Sequence, residues 1–252
     1  MSQVPVERRT VLRALALAVP GLGFGGPRLW AQLAPADRFV APPQEETAPI
    51  AAAIDRVRVA LASGRVRPSD VLSDPGTLDL HPWARFRQTI RDHAAVGPLT
   101  LVTAGEPGTP LRFTGSVIDS EGKSVRSRVY VYQTSAKGWY SDQAAHVSGH
   151  SGDQRHARLF GYLLTDENGL FEVRTIRPAG YPSSNLPAHI HVEIETLAEP
   201  RKTRVTEVLF ADDPRLALPG ARDRALAERF VISNVTRTAS GGEEVNAVLE
   251  LR

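Results

Sequence analysis

Eight short runs rich in β-branched and aromatic residues, each bounded by turn-forming residues, fill the chain from Leu111 to Leu251. They are Leu111–Ile118, Arg126–Gln133, Arg158–Leu164, Leu170–Ile176, Ala188–Glu195, Arg204–Phe210, Arg229–Val235 and Glu244–Leu251. Strands this short bury enough apolar surface only by pairing and stacking, which leaves an antiparallel sandwich or barrel. Asp166-Glu-Asn-Gly169 is a hairpin signal between two of them, and Asp119-Ser-Glu-Gly122 is turn chemistry. The fold class read from this pattern is mainly β, an antiparallel β-sandwich.

Upstream the period changes. Ile50, Ile54, Val57 and Leu61 recur at helical spacing within Glu46–Ser63, and Gly64 is a natural stop. Trp83, Phe86 and Ile90 mark a second, shorter helix, with Asp74-Pro75-Gly76 as a turn between. This predicts a helical N-terminal arm over 46–95, a Pro/Ala-rich linker over 32–45 and a sandwich domain over 96–252. The apolar face of the first helix needs a cover, from the same chain or from a second copy.

The first 31 residues are not read as part of the fold. Glu7-Arg8-Arg9-Thr10-Val11-Leu12-Arg13 leads into a weakly apolar run, Ala14–Gly26, too short to span a bilayer, with small-residue cleavage candidates at Ala31 and Ala36. The pattern resembles a twin-arginine export signal, departing from it at Glu7 and Val11. The expectation is a periplasmic or secreted protein, exported folded. Four of the 30 basic and one of the 28 acidic side chains lie in that segment, so the remainder is near neutral. No basic stripe is left for nucleic acid, and no transmembrane segment is read. Cysteine is absent, which excludes disulfides, thiolate metal sites and cysteine nucleophiles.

The chemistry concentrates in Tyr181-Pro-Ser-Ser-Asn-Leu-Pro-Ala-His189-Ile190-His191. Ala188, Ile190, Val192 and Ile194 alternate with His189, His191, Glu193 and Glu195, so a strand would aim both imidazoles from one face. A same-face histidine pair is half of a metal site. It is also compatible with an exposed polar edge. His146, His150 and His156 fall in a polar loop over 141–157 and read as loop or entrance residues.

A longer ordered set frames the pair: Gly115-Ser-Val-Ile-Asp119, Val129-Tyr-Val-Tyr-Gln133, Gly138-Trp-Tyr140, Gly169-Leu-Phe171, Gly180-Tyr-Pro182 and Pro187-Ala-His-Ile-His191. It resembles the intradiol ring-cleavage dioxygenases of the catechol and protocatechuate type, over roughly residues 111–214. That resemblance implies ferric iron, Fe(3+), held by Tyr140, Tyr181, His189 and His191. It implies a catechol-like substrate and O2, with the ring opened between its two hydroxyls. Tyr181 would be the tyrosine that leaves the metal and accepts a proton. It also implies a homodimer through the N-terminal helices. Two positions depart from the family pattern. Leu186 stands where an arginine would face the substrate, and Glu207 where a glutamine would. A less charged or bulkier catechol, a substitute cation among Arg155, Arg158 and Arg177, or weak activity at a retained metal would each accommodate the change. Two rivals stay open. One is a transthyretin-like, non-enzymatic binding module. The other is a zinc or copper protein using His189 and His191 with the loop histidines.

Overall fold

The computed structural model describes residues 45–140, 157–182 and 184–251. The export-type segment at 1–31, Arg155 and the loop histidines His146, His150 and His156 lie outside them. The chain begins with α1 (Ala48–Ala62), α2 (Pro68–Leu72), a 3-10 turn (Pro75–Leu80) and α3 (Ala84–Asp92). Gly64, at φ 68°, follows α1 and donates to the Leu61 carbonyl, so the predicted stop is a left-handed one. Strands follow: β1 (Leu99–Thr100), β2 (Pro110–Asp119), β3 (Ser127–Gln133), β4 (Leu159–Leu164), β5 (Leu170–Ile176), β6 (His189–Thr196), β7 (Thr203–Phe210), β8 (Val231–Ser233), β9 (Val235–Arg237) and β10 (Glu243–Leu251). A 3-10 turn (Pro214–Ala217) and α4 (Ala221–Ala227) separate β7 from β8.

The strands form two five-stranded sheets, ordered β1-β5-β2-β10-β9 and β4-β3-β6-β7-β8. Phe113, Val117, Val173, Val245 and Leu249 from the first sheet and Val129, Val131, Ile190, Val192 and Ile194 from the second form one buried core. The outer face of the first sheet is polar, with Arg112, Glu172 and Glu244 ion-paired across its strands. The sandwich is not antiparallel throughout. β10, which follows β9 within the first sheet, pairs parallel to β2 from Glu243↔Leu111 to Leu251↔Asp119, and β1–β5 and β7–β8 are also parallel.

β3 breaks the expected alternation, because nearly all of it is buried. The cause is the helical arm, which lies on the outer face of the second sheet. Phe86 of α3 meets Phe160 of β4 edge-on at 6.4 Å, and Arg87 donates to the Tyr130 hydroxyl at 2.7 Å. His81 stacks on Phe86, and its Nδ1 contacts the Arg158 carbonyl at 2.8 Å. The apolar face of α1 is covered within the chain, with Ile50, Ile54, Val57 and Leu61 all buried. A second copy is therefore not needed to cover it.

The expected strand Arg229–Val235 divides. Arg229 adopts a left-handed φ of 59°, β8 joins the second sheet and β9 the first. One run of sequence thus carries the chain from sheet to sheet. No helix among the described residues is long and apolar enough to cross a membrane.

Candidate metal centre

The site is built on the outer face of the second sheet, the same face on which the arm packs against Phe160. Cross-strand register sets Phe160, Tyr132, His191 and Glu207 side by side on β4, β3, β6 and β7. The Tyr132 ring stacks on the His191 imidazole at 4.3 Å and 6°, which fixes the imidazole plane. His189 lies two residues earlier on the same strand face, its ring at 86° to that of His191.

The two tyrosines arrive from outside the sheet. Tyr140 follows a tight turn in which Gly138 donates to Ser135 O and Ser135 donates to Trp139 O. Tyr181 lies in the irregular stretch between β5 and β6. The two segments pack backbone to backbone. A Cβ on Gly138 would come 2.5 Å from Gly180 O, and its φ of 77° also favours glycine.

Four donor atoms converge. Tyr140 Oη lies 2.7 Å from His191 Nε2 and in short contact with Tyr181 Oη. Tyr181 Oη lies 3.1 Å from His189 Nε2 and 3.4 Å from His191 Nε2, and the two Nε2 atoms are 3.1 Å apart. All four side chains are buried, Tyr140 at 1% exposure and Tyr181 at 7%. His189 Nδ1 faces Pro187 O at 2.7 Å, so its proton goes to that carbonyl and Nε2 keeps its lone pair.

Electrostatics follow from this burial. The Tyr140 phenol is pushed far above its ordinary pKa, first by burial and then by Tyr181 beside it. The His191 imidazole is pushed far down by burial and by its neighbour His189. Burial also raises the Glu207 carboxyl. Burial thus favours the neutral form of both Tyr140 and His191.

Glu207 sits close but behind. Its Oε1 lies 3.5 Å from His191 Nδ1, the edge of the ring away from the converging atoms. His189, His191 and Glu207 do form a group compact enough for a metal. One ring cannot present both nitrogens to a single ion, however, and Nε2 is the one that faces the tyrosines. Leu186 is 43% exposed.

Two of the expected substitute cations are committed elsewhere. Arg158 pairs with Glu106 through contacts of 2.6 and 2.7 Å. Arg177 bridges Asp212 and Glu243. Each arginine has a carboxylate partner of its own. Sequence reasoning passed over Tyr132, Asp213 and Arg215. The alternation Val-Tyr-Val-Tyr in β3 was the available signal for Tyr132. Asp213-Pro214 was the signal for a capped turn, in which the Asp213 carboxylate accepts from Arg215 N.

Comparison with known proteins agrees with this geometry. Residues 88–249 match the profile of the Dioxygenase family, a span that includes both tyrosines and both histidines. The chain is 32% identical over 206 residues to the protocatechuate 3,4-dioxygenase beta chain of Burkholderia cepacia, covering 68% of this chain and 83% of that one. It is 30% identical over 138 residues to the catechol 1,2-dioxygenase of Acinetobacter baylyi, covering 48% of this chain and 42% of that enzyme. The chain therefore spans less than half of that second relative. A solved dioxygenase domain from a dioxygenase carbohydrate-binding protein fusion of Streptomyces sp. SirexAA-E matches at a TM-score of 0.46 and 27% identity, over 63% of this chain and 88% of that one. With the family profile spanning the sandwich and the converging side chains inside it, the chain belongs to the intradiol dioxygenase family, homologous to the protocatechuate 3,4- and catechol 1,2-dioxygenases.

Proposed function

We propose that the protein is a non-haem iron(III) dioxygenase that opens a catechol-like ring between its two hydroxyls. The observation that carries this reading is the convergence of Tyr140, Tyr181, His189 and His191 through their hydroxyl and Nε2 atoms. The donor set suits ferric iron. Phenolate oxygen is a hard, anionic donor, and imidazole is at home in iron sites. Buried phenols resist ionisation until a strong positive charge stands beside them, which a trivalent cation supplies.

Iron bound there would supply the Lewis acidity and redox chemistry that let a catecholate react with dioxygen. The chain's own residues do the rest. Pro187 O holds the His189 proton on Nδ1, and Tyr132 holds the His191 plane. Tyr140, the more deeply buried phenol, stays in place. The family resemblance gives Tyr181, which is 7% exposed, the part of the tyrosine that would move aside, its phenolate oxygen then taking one proton from the incoming catechol. Leu186 would present an apolar edge to a substituent on the ring.

The test is direct. The purified chain, loaded with iron(III), should absorb visible light through tyrosinate-to-iron charge transfer. It should consume one O2 per catechol and release a muconate-type diacid. A colourless protein that binds no stoichiometric iron would overturn the reading and leave the transthyretin-like binding module. Export by the twin-arginine route is part of the same proposal. Arg8→Lys with Arg9→Lys should keep the protein in the cytoplasm, and an unchanged distribution would refute it.

A further inference from the structure

The stretch from Arg177 to Ala188 holds no helix or strand among its described residues, yet it must place one phenol and lead directly into both imidazoles. Irregular backbone is positioned only by what it touches, and a site tolerates errors of about half an ångström. One flank is the turn before Tyr140. The Thr134 hydroxyl donates to Ala179 O at 2.7 Å, and Ala179 N donates to Ser135 O at 3.1 Å. The other flank is the Asp213-Pro214-Arg215 turn, which lies after β7 in the sequence but against this loop in space.

Asp213, only 8% exposed, divides its carboxylate between two backbone donors. Oδ1 accepts from Arg215 N and Oδ2 from Ala188 N, each at 2.8 Å. Asp213 thereby ties the turn to the residue just before His189. Arg215 then reaches back. Its Nη1 donates to Leu186 O at 3.2 Å, and its Nη2 lies 3.5 Å from Tyr181 O. One planar guanidinium therefore spans the carbonyls at the two ends of the 181–186 loop. Gly180 completes the fit, because a Cβ at that position would overlap the Arg215 guanidinium and also come 2.9 Å from Leu186 O.

We propose that Arg215 is a positioning residue for Tyr181. Its guanidinium staples the ends of the 181–186 loop, and Gly180 is required to admit it. The inference rests on the reading of Tyr181 as an iron ligand that moves aside for substrate. The bonds go to backbone carbonyls and not to the phenol. The Tyr181 backbone is thus held by bonds that do not engage its phenol. An arginine is needed, since a lysine ammonium is a point charge and lacks the fork that bridges two acceptors.

The experiment uses the full chain with Arg215→Ala, Arg215→Lys, Gly180→Ala and the double variant Gly180→Ala/Arg215→Ala. Visible absorption and iron retention against a competing chelator are read on iron-loaded protein, and melting temperature on metal-free protein. Arg215→Ala should shift the tyrosinate band and weaken iron retention about tenfold or more, the scale seen when an outer partner of a metal ligand is lost. Its kcat should fall by a larger factor than its KM rises. Arg215→Lys should recover less than half of each loss. Gly180→Ala should melt lower than the parent, and the double variant should melt higher than Gly180→Ala alone, because the severer overlap, with the guanidinium, is then gone and only the 2.9 Å approach to Leu186 O remains. Arg215→Ala with band and retention within twofold of the parent would overturn the proposal. So would a melting cycle in which the two substitutions simply add. If the parent binds iron without tyrosinate colour, the ferric reading fails while the metal-free melting cycle still decides the staple. Should Arg215→Ala not fold, the Lys variant carries the same comparison.

Discussion

Glu207 stands opposite His191 across β6 and β7, with its side chain 23% exposed and its carboxyl raised by burial. A carboxylate there disfavours a second negative charge on a bound catechol. Glu207→Gln should let the catecholate complex form at lower pH, followed by its visible spectrum across a pH titration. An unchanged titration would remove Glu207 from the site's electrostatics. Leu186, which is exposed, can be replaced by arginine without burying a charge. Leu186→Arg should raise kcat/KM for simple catechols by about tenfold, the worth of one charge-assisted hydrogen bond. Steady-state oxygen uptake checks it, and no gain or a loss refutes it. All four proposed ligands were legible as residues, through Gly-Trp-Tyr, Gly-Tyr-Pro and the alternating histidines. Arg215 was not, because its contact with residues 181 and 186 is set by a turn distant in sequence. The engagement of Arg158 and Arg177 with carboxylates was hidden for the same reason.

The element that read most cleanly was β6, since strict alternation of apolar and polar residues leaves little choice of period. The Arg229–Val235 run misled because hydrophobicity marks extended chain and is silent about which sheet receives it. α4 escaped notice because Ala221–Ala227 has no apolar stripe and only Ala225 is buried. His81 shows what the arm contributes. It is buried, holds the Arg158 carbonyl, and has its pKa lowered to about 4, chiefly by burial. The folded value lies below the unfolded one, near 6.5. The unfolded chain therefore takes up the proton first, and stability falls as pH drops from about 6.5 towards 4, by up to about 3 kcal/mol. Melting temperatures of the metal-free parent should fall across that window more steeply than those of His81→Phe. Parallel curves would show that His81 does not carry the effect.

For the molecule as a whole, the sandwich was readable from its strands, but the burial of both faces of β3 was not. A strand cannot announce a cover supplied by helices that end before the sheet begins. Phe86, wholly buried between His81 and Phe160, measures that cover, and Phe86→Ala should cost about 3–5 kcal/mol in chemical denaturation. The proposed iron would couple to the same fold. A metal that binds only the native chain raises its melting temperature, so iron-loaded protein should melt several degrees above stripped protein, measured by calorimetry. Equal melting points would mean that the metal is not seated among the buried ligands.

The arm also reaches the centre. Arg87 donates to Ala157 O, His81 contacts Arg158 O, and Arg158 N donates in turn to Tyr140 O. Helix and phenol are thus joined through the Arg87 and His81 side chains and the backbone of Ala157 and Arg158. Inherited or engineered lesions in this outlying buttress should first show themselves as bleaching, the purified protein turning pale while its strands remain intact.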